Sequence, residues 1–348
     1  MILPFIGILI ILIFIFKYIN LLRYDLKYYF LYLWTTINKY NFVYVTNLNL
    51  AKKVLQSSVK GKFIEQKISK KAWYPLLSIE SEDHDNYYKL KENLLLLFKE
   101  QPSLDILKNI IIEKCLEYNN NYEIIDSKIT SIIVADVFVT YLFNENLTCD
   151  QLELLYNGSI EWRKEIAIKG KGNINIKNNV IELIKNLLKK SKYTLSKTYS
   201  DIFSYSVIGQ PYIISPMINM SDILYYYDNI LYDFNLNDLI SNYNNIKKTI
   251  SDNHPFPVLE RYDEITNTQY YIPMEIIKDL PFGFGPRKCP GQNIALLYIE
   301  TFLKHINKDK FKPKLNHLYS GRSNDNKDDI YSIIYQIKII FNLLARKN

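Results

Sequence analysis

The sequence predicts a mainly α-helical chain with a small β component, preceded by one amino-terminal membrane-spanning helix. Three observations lead there. Apolar residues recur at helical spacing, as with Leu90, Leu94, Leu97 and Phe98. Runs of β-forming residues are few, the clearest being Phe42-Val43-Tyr44-Val45-Thr46. The first apolar run, Ile2 to Phe16, carries no charge. With 348 residues, 48% of them hydrophobic, the chain can bury a sizeable core, which argues against wholesale disorder.

The apolar run is slightly short for a bilayer, which needs about 20 residues. Lys17 can snorkel, and Tyr18, Ile19, Leu21 and Leu22 extend the stretch. A cleaved signal peptide is the rival reading, but it calls for a basic start and a small-residue cleavage site. The start has no basic residue, and Lys17-Tyr18-Ile19-Asn20 offers no such site. An uncleaved anchor over 1–22 is therefore expected, followed by one domain over 23–348. Lys17, Arg23 and Lys27 follow the span, which places the body on the cytoplasmic side.

Along the body, Phe42–Thr46 reads as a short strand. Asn47 or Asn49 caps a helix over Leu50–Gln56. Helices are expected over 84–100, 103–118, 126–143, 217–230 and 236–250. The stretch 165–190 reads as a loop followed by a helix. From 254 onward, Pro255, Pro257 and Pro273 punctuate an extended region. After Gly291 a helix runs to about Ile306, and the alternation over 329–344 allows strands near the carboxyl end.

The formal charge is +7, but lysines are scattered and sit beside acids, as in Lys89, Lys91 and Glu92. Nucleic-acid binding needs a gathered basic face, so no nucleic-acid partner is expected. The three cysteines, Cys115, Cys149 and Cys289, are too widely spaced for a disulfide framework or a paired zinc motif. That fits a reducing compartment.

The informative stretch is Pro281-Phe282-Gly283-Phe284-Gly285-Pro286-Arg287-Lys288-Cys289-Pro290-Gly291. Gly283 and Gly285 permit unusual backbone angles in a tight loop. The loop delivers a cysteine just before a helix, with Pro290 suited to the first helical turn. There the helix dipole, the unpaired backbone donors and Arg287 favour thiolate over thiol. Gly291 leaves room for a flat ligand to approach the backbone. No second cysteine or histidine stands at zinc spacing, so a bound metal must bring most of its own ligands. An inert buried cysteine in a glycine-rich turn is the alternative.

This loop resembles the haem-binding loop of cytochromes P450: Phe, two residues, Gly, one residue, Arg, one residue, Cys, one residue, Gly. Phe282, Gly285, Arg287, Cys289 and Gly291 fill every fixed place, and Gln292 and Ala295 match the helix behind. The resemblance implies a truncated cytochrome P450-like haem-thiolate fold. It makes Cys289 the axial ligand of the iron of haem b, packs Phe282 beside the sulfur and pairs Arg287 with a haem propionate. His254-Pro255-Phe256-Pro257-Val258-Leu259-Glu260-Arg261 resembles the family's proline-rich turn, so Arg261 is the candidate for the other propionate. Residues 84–98 resemble the helix beneath the haem, in a register pivoting on His84 or on Tyr87, which makes Lys89 or Lys91 a further propionate candidate.

The departures are specific. The family's buried Glu-x-x-Arg pair is replaced by Thr249-Ile250-Ser251-Asp252, and the connection from Pro273 to Cys289 is short. Leu259–Tyr262 can alternatively be read as a remnant of that connection. For oxygen activation the candidates are Ser221 and Asp222, with acid and alcohol in the reverse of the family's order; a helix cap is the plainer reading.

By the resemblance, the expected function is a monooxygenase that inserts one atom of O2 into a lipophilic substrate, served by a reductase at a membrane of endoplasmic-reticulum type. The AT-rich composition also resembles that of large DNA viruses, which would make this a host membrane. The competing expectation is a catalytically degenerate haem-binding or interaction protein.

Overall fold

A computed structural model describes residues 39–60, 103–166, 170–190 and 258–312, with single positions at 35, 246 and 251 and others within 83–95 and 334–338. The predicted anchor, the helix expected over 217–230 and most of that over 236–250 lie outside the described residues. Among the described residues no helix is long and apolar enough to cross a membrane.

The first strand, β1 (Asn41–Tyr44), leads into helix α1 (Leu48–Leu55). Asn47 is the cap: its side-chain oxygen accepts the Leu50 N–H at 2.9 Å. Helix α2 (Leu104–Asn121) is followed by α3 (Ser127–Phe143), whose first turn is capped by Asp126. Asn144 ends α3 in the left-handed conformation. Positions 130–139 of α3 are all buried. A helix enclosed on every side has no reason to show a polar face.

Helix α4 (Cys149–Ile166) goes beyond the elements expected above, although its signal is in the sequence. Thr148 and Gln151 form a reciprocal capping box, Thr148 N–H to Gln151 Oε1 and Gln151 N–H to Thr148 Oγ1. Helix α5 (Ile174–Lys190) begins after Asn173, as the loop-then-helix reading anticipates. The extended region becomes a hairpin, β2 (Val258–Asp263) and β3 (Thr268–Pro273), before the last long helix, α6 (Gln292–His305). One correction concerns 329–344, where the alternation allows strands. Its described positions, 334, 335, 337 and 338, are helical. Ile330, Ile333, Ile337 and Ile340 also satisfy a helical period, and short apolar runs do not separate the two.

The sheet order is β1-β3-β2. β2 and β3 are antiparallel neighbours, whereas β1 joins β3 in parallel, Asn41 opposite Thr268 and Tyr44 opposite Tyr271. Ala51 and Leu55 of α1 share a buried cluster with Ile272 of β3 and with Met274 and Ile277 of the helical turn that follows it. The larger core lies among α2, α3, α4, α5 and α6, with Leu107, Ile111, Phe138, Tyr298 and Phe302 buried in it.

Asn119 of α2 ties down the end of α6. Its amide donates to the His305 carbonyl at 2.9 Å and accepts the Asn307 N–H at 2.8 Å. Asn119→Ala leaves both backbone groups without this partner. It is expected to cost about 1–3 kcal/mol in a urea unfolding measurement.

Candidate functional site at the cysteine loop

The loop between β3 and α6 is shaped by two left-handed glycines, Gly283 at φ +77° and Gly285 at φ +72°. The Gly283 N–H returns to Leu280 O, and the Cys289 N–H returns to Phe282 O at 2.8 Å, which closes the loop. Phe282 is partly buried against the larger core, so one residue both pins the loop to the helices and accepts from the cysteine backbone. Gly285 is required twice over: a Cβ there would stand 2.2 Å from the Leu55 carbonyl oxygen at the end of α1. Gly285→Ala combines a left-handed alanine with a backbone collision. It is expected to lower stability by about 3 kcal/mol, read by thermal unfolding.

Helix α6 starts directly after Gly291, as the sequence suggests, but Pro290 lies outside its first turn. Gly291 is the N-cap and Gln292 the first helical residue, so Pro290 precedes the cap rather than standing in the first turn. The Gly291 carbonyl accepts the first helical bond, from the Ala295 N–H at 2.9 Å. Cys289 is exposed and outside any disulfide. Cys115, by contrast, lies within α2, and burial pushes its thiol up to about 12. Cys289 is thus not the buried cysteine that the alternative reading of the loop expects.

Arg287 lies deep under the loop. Its side chain is 1% exposed and its Nη2 is 2.7 Å from Asp83 Oδ1. Its Nε donates to Ser58 O, and its guanidinium carbon sits 3.9 Å from the centre of the Tyr87 ring. The Tyr87 hydroxyl and the Lys91 ammonium both donate to the Pro286 carbonyl. Of the two registers open in the sequence, the one pivoting on Tyr87 faces the loop. His84 is exposed at 3.3 Å from Glu264 of the β2–β3 turn instead. Lys91 therefore reaches the loop, while the side chain of Lys89 lies outside the described residues.

Arg261 is buried on β2, with its Nη1 donating to its own neighbour, Glu260 O. Its strand flanks the loop: Leu259 approaches Gly283, and the Tyr262 N–H bonds Val59 O. Ser221 and Asp222 lie outside the described residues. At the position of the absent Glu-x-x-Arg, the Ser251 hydroxyl donates to Lys278 O. Sequence reasoning does not find Asp83, Ser58 or Lys60. Asp83 stands in the acidic run Glu80, Glu82, Asp83, Asp85, where nothing marks one acid from another.

Among the described residues no three His, Cys, Asp or Glu side chains gather to hold a bare ion. Cys289 is thus a single donor, and a metal held there must arrive with its other ligands in place. An iron porphyrin meets that condition, and the exposed sulfur before a helix cap fits it.

Residues 260–341 match the family model "Cytochrome P450". No curated protein matches the chain by sequence. By structure the chain is similar to a six-coordinated cytochrome P450 from Thermus thermophilus, at 9% identity and TM-score 0.56, covering 75% of this chain and 83% of that one. It is similar to a zebrafish cytochrome P450 solved with abiraterone, at 11% identity and TM-score 0.58, covering 75% and 84%. A third likeness is P450BioI in complex with hexadec-9Z-enoic acid-ligated acyl carrier protein, at 13% identity and TM-score 0.58, covering 75% and 83%. At such identities the likeness is one of fold.

Proposed function

We propose that this chain, whose residues 260–341 match the cytochrome P450 family model and whose fold is similar to that of cytochromes P450, is a haem-thiolate monooxygenase acting on a lipophilic substrate, with haem b held by Cys289. The observation that carries the reading is the exposed sulfur of Cys289, presented by a loop of two left-handed glycines at the head of a buried helix. Bound haem would supply the redox chemistry: with two electrons from a reductase and two protons, one atom of O2 would enter the substrate and the other would leave as water.

The chain's own residues have distinct parts. Cys289 provides the thiolate, favoured by the amino-terminal end of α6. Phe282 holds the loop against the core, and Gly291 keeps the backbone open to a flat ligand. Lys91 and Arg261 supply cations for the porphyrin carboxylates. Ser221 and Asp222 are the proposed proton-handling pair. Residues 1–22 are proposed to anchor the chain in a membrane, with the body cytoplasmic, which suits delivery of an apolar substrate from lipid.

Reduced full-length protein under carbon monoxide is expected to show the red-shifted Soret band of thiolate ligation. Folded protein with no Soret absorbance would sink the reading. A second reading is favoured by the neutral Ser251 contact at the family's Glu-x-x-Arg position: a haem-binding protein without turnover. It is told apart by product formation with a reductase and a panel of lipophilic substrates. A thiolate band without product supports it.

A further inference from the structure

The short 3-10 turn of the loop, Gly285–Arg287, stops one step before it would capture the backbone of Cys289. We propose that Tyr87 and Lys91 are positioning residues for that cysteine: by taking the Pro286 carbonyl they end the turn and leave the Cys289 N–H to close on Phe282. The loop geometry stands without a cofactor; its consequence for iron ligation rests on the haem reading above.

A 3-10 turn bonds each carbonyl to the N–H three residues on. The Gly285 carbonyl accepts the Lys288 N–H in this way at 3.0 Å. The next bond in the series would join the Pro286 carbonyl to the Cys289 N–H. Instead, Lys288 turns extended, at φ −55° and ψ 137°, and the Cys289 N–H returns to Phe282 O at 2.8 Å. The Pro286 carbonyl accepts from the Tyr87 hydroxyl at 2.7 Å and from the Lys91 ammonium. One acceptor thus stands between two loop shapes, and two side-chain donors from a neighbouring helical segment decide between them.

Both donors suit the task. Tyr87 is 2% exposed, and its ring centre lies 3.9 Å from the Arg287 guanidinium carbon. That contact aims the hydroxyl at the residue just before Arg287. Lys91 follows four residues later, on the same side of the helical segment. Proline offers a carbonyl and no N–H, so the bond to these donors is the only one its backbone can make. An ammonium has three donors, which leaves Lys91 able to serve a porphyrin carboxylate as well.

The chain has three cysteines, so full-length protein isotope-labelled at cysteine nitrogen carries one backbone amide signal each for Cys115, Cys149 and Cys289. In the haem-free protein, Tyr87→Phe combined with Lys91→Met is expected to move the Cys289 signal. Its amide exchange should quicken by about tenfold as the closing bond to Phe282 weakens. The Cys115 and Cys149 signals stay in place, and each single substitution gives a smaller shift in the same direction. Asn119→Ala, which loosens the far end of α6, is the control for mere loss of stability and leaves the Cys289 signal where it is. An unmoved Cys289 signal in the double variant, or an equal shift in Asn119→Ala, overturns the proposal. If the double variant does not fold, Tyr87→Phe alone is read by the same criterion.

The second measurement is the carbon monoxide spectrum of haem-loaded Tyr87→Phe, which keeps Lys91. A cysteine held less firmly predicts that part of the thiolate band gives way to a band at shorter wavelength, with the amount of haem bound unchanged. A full thiolate band in this variant overturns the part of Tyr87 in ligation. If wild-type protein takes up no haem, the haem reading fails, while the cysteine amide signals still decide the loop.

Discussion

Cys289→Ser is expected to remove the thiolate-type carbon monoxide band entirely, whereas Cys149→Ser leaves it in place. Both cysteines are exposed and neither is in a disulfide. They differ in setting. Cys149 is the first residue of α4, while Cys289 sits in the glycine loop that closes back on Phe282. A serine hydroxyl does not ionise near neutral pH, so it cannot replace a thiolate donor. The loop's closing contacts run from Gly283 to Leu280, Lys288 to Gly285 and Cys289 to Phe282, all through main-chain atoms. Serine should therefore preserve the fold, and the thermal midpoint without haem should shift little. Retention of the full band in Cys289→Ser would refute the assignment of the ligand.

Lys114→Met is expected to destabilise the protein by about 3–5 kcal/mol in urea unfolding near neutral pH, the cost of stranding a buried charge. The Lys114 ammonium lies 2.9 Å from Asp136 Oδ2, and their side chains are 11% and 5% exposed. The Tyr118 hydroxyl donates to the same carboxylate oxygen. The cluster joins α2 to α3, and Tyr298 of α6 is wholly buried near it, its own ionisation opposed by burial and by the neighbouring Cys115, Tyr118 and Asp136.

Burial pushes the Asp136 carboxyl above its ordinary range. A group whose pKa is higher folded than unfolded favours the fold below its unfolded value and loses that contribution as pH rises through the folded one. Without Lys114 to compensate, the penalty should therefore shrink as pH falls through the raised folded value toward the ordinary carboxyl value of 3.8, and be gone below it. Asp136→Leu in the Lys114→Met background should recover most of the loss, because a well-packed apolar pair often equals a buried ion pair. A penalty independent of pH would show that Asp136 is not the stranded charge.

The helices are readable where a cap or a period marks them. Asn47, Asp126 and Asn173 each stand immediately before the segment they start. The Thr148–Gln151 box is equally visible, but α4 carries a weaker apolar pattern behind it, so the box alone does not announce a helix. The carboxyl-terminal stretch misleads for the opposite reason: its isoleucines are dense enough to satisfy both periods.

At the site, Gly283, Gly285, Cys289 and Gly291 can be assigned from order and spacing alone. The left-handed turns at Gly283 and Gly285 and the closure of Cys289 on Phe282 are met within about ten residues, and such local constraints are written along the chain, whereas the close approach of Gly285 to Leu55 O is not. Partners are another matter. That Asp83 rather than a neighbouring acid takes Arg287, that β1 lies beside β3, and that Lys114 meets Asp136 between two helices all depend on which surfaces are buried together. In a desolvated interior a charge must find whichever counter-charge the packing brings within reach, and no spacing along the chain encodes that distance.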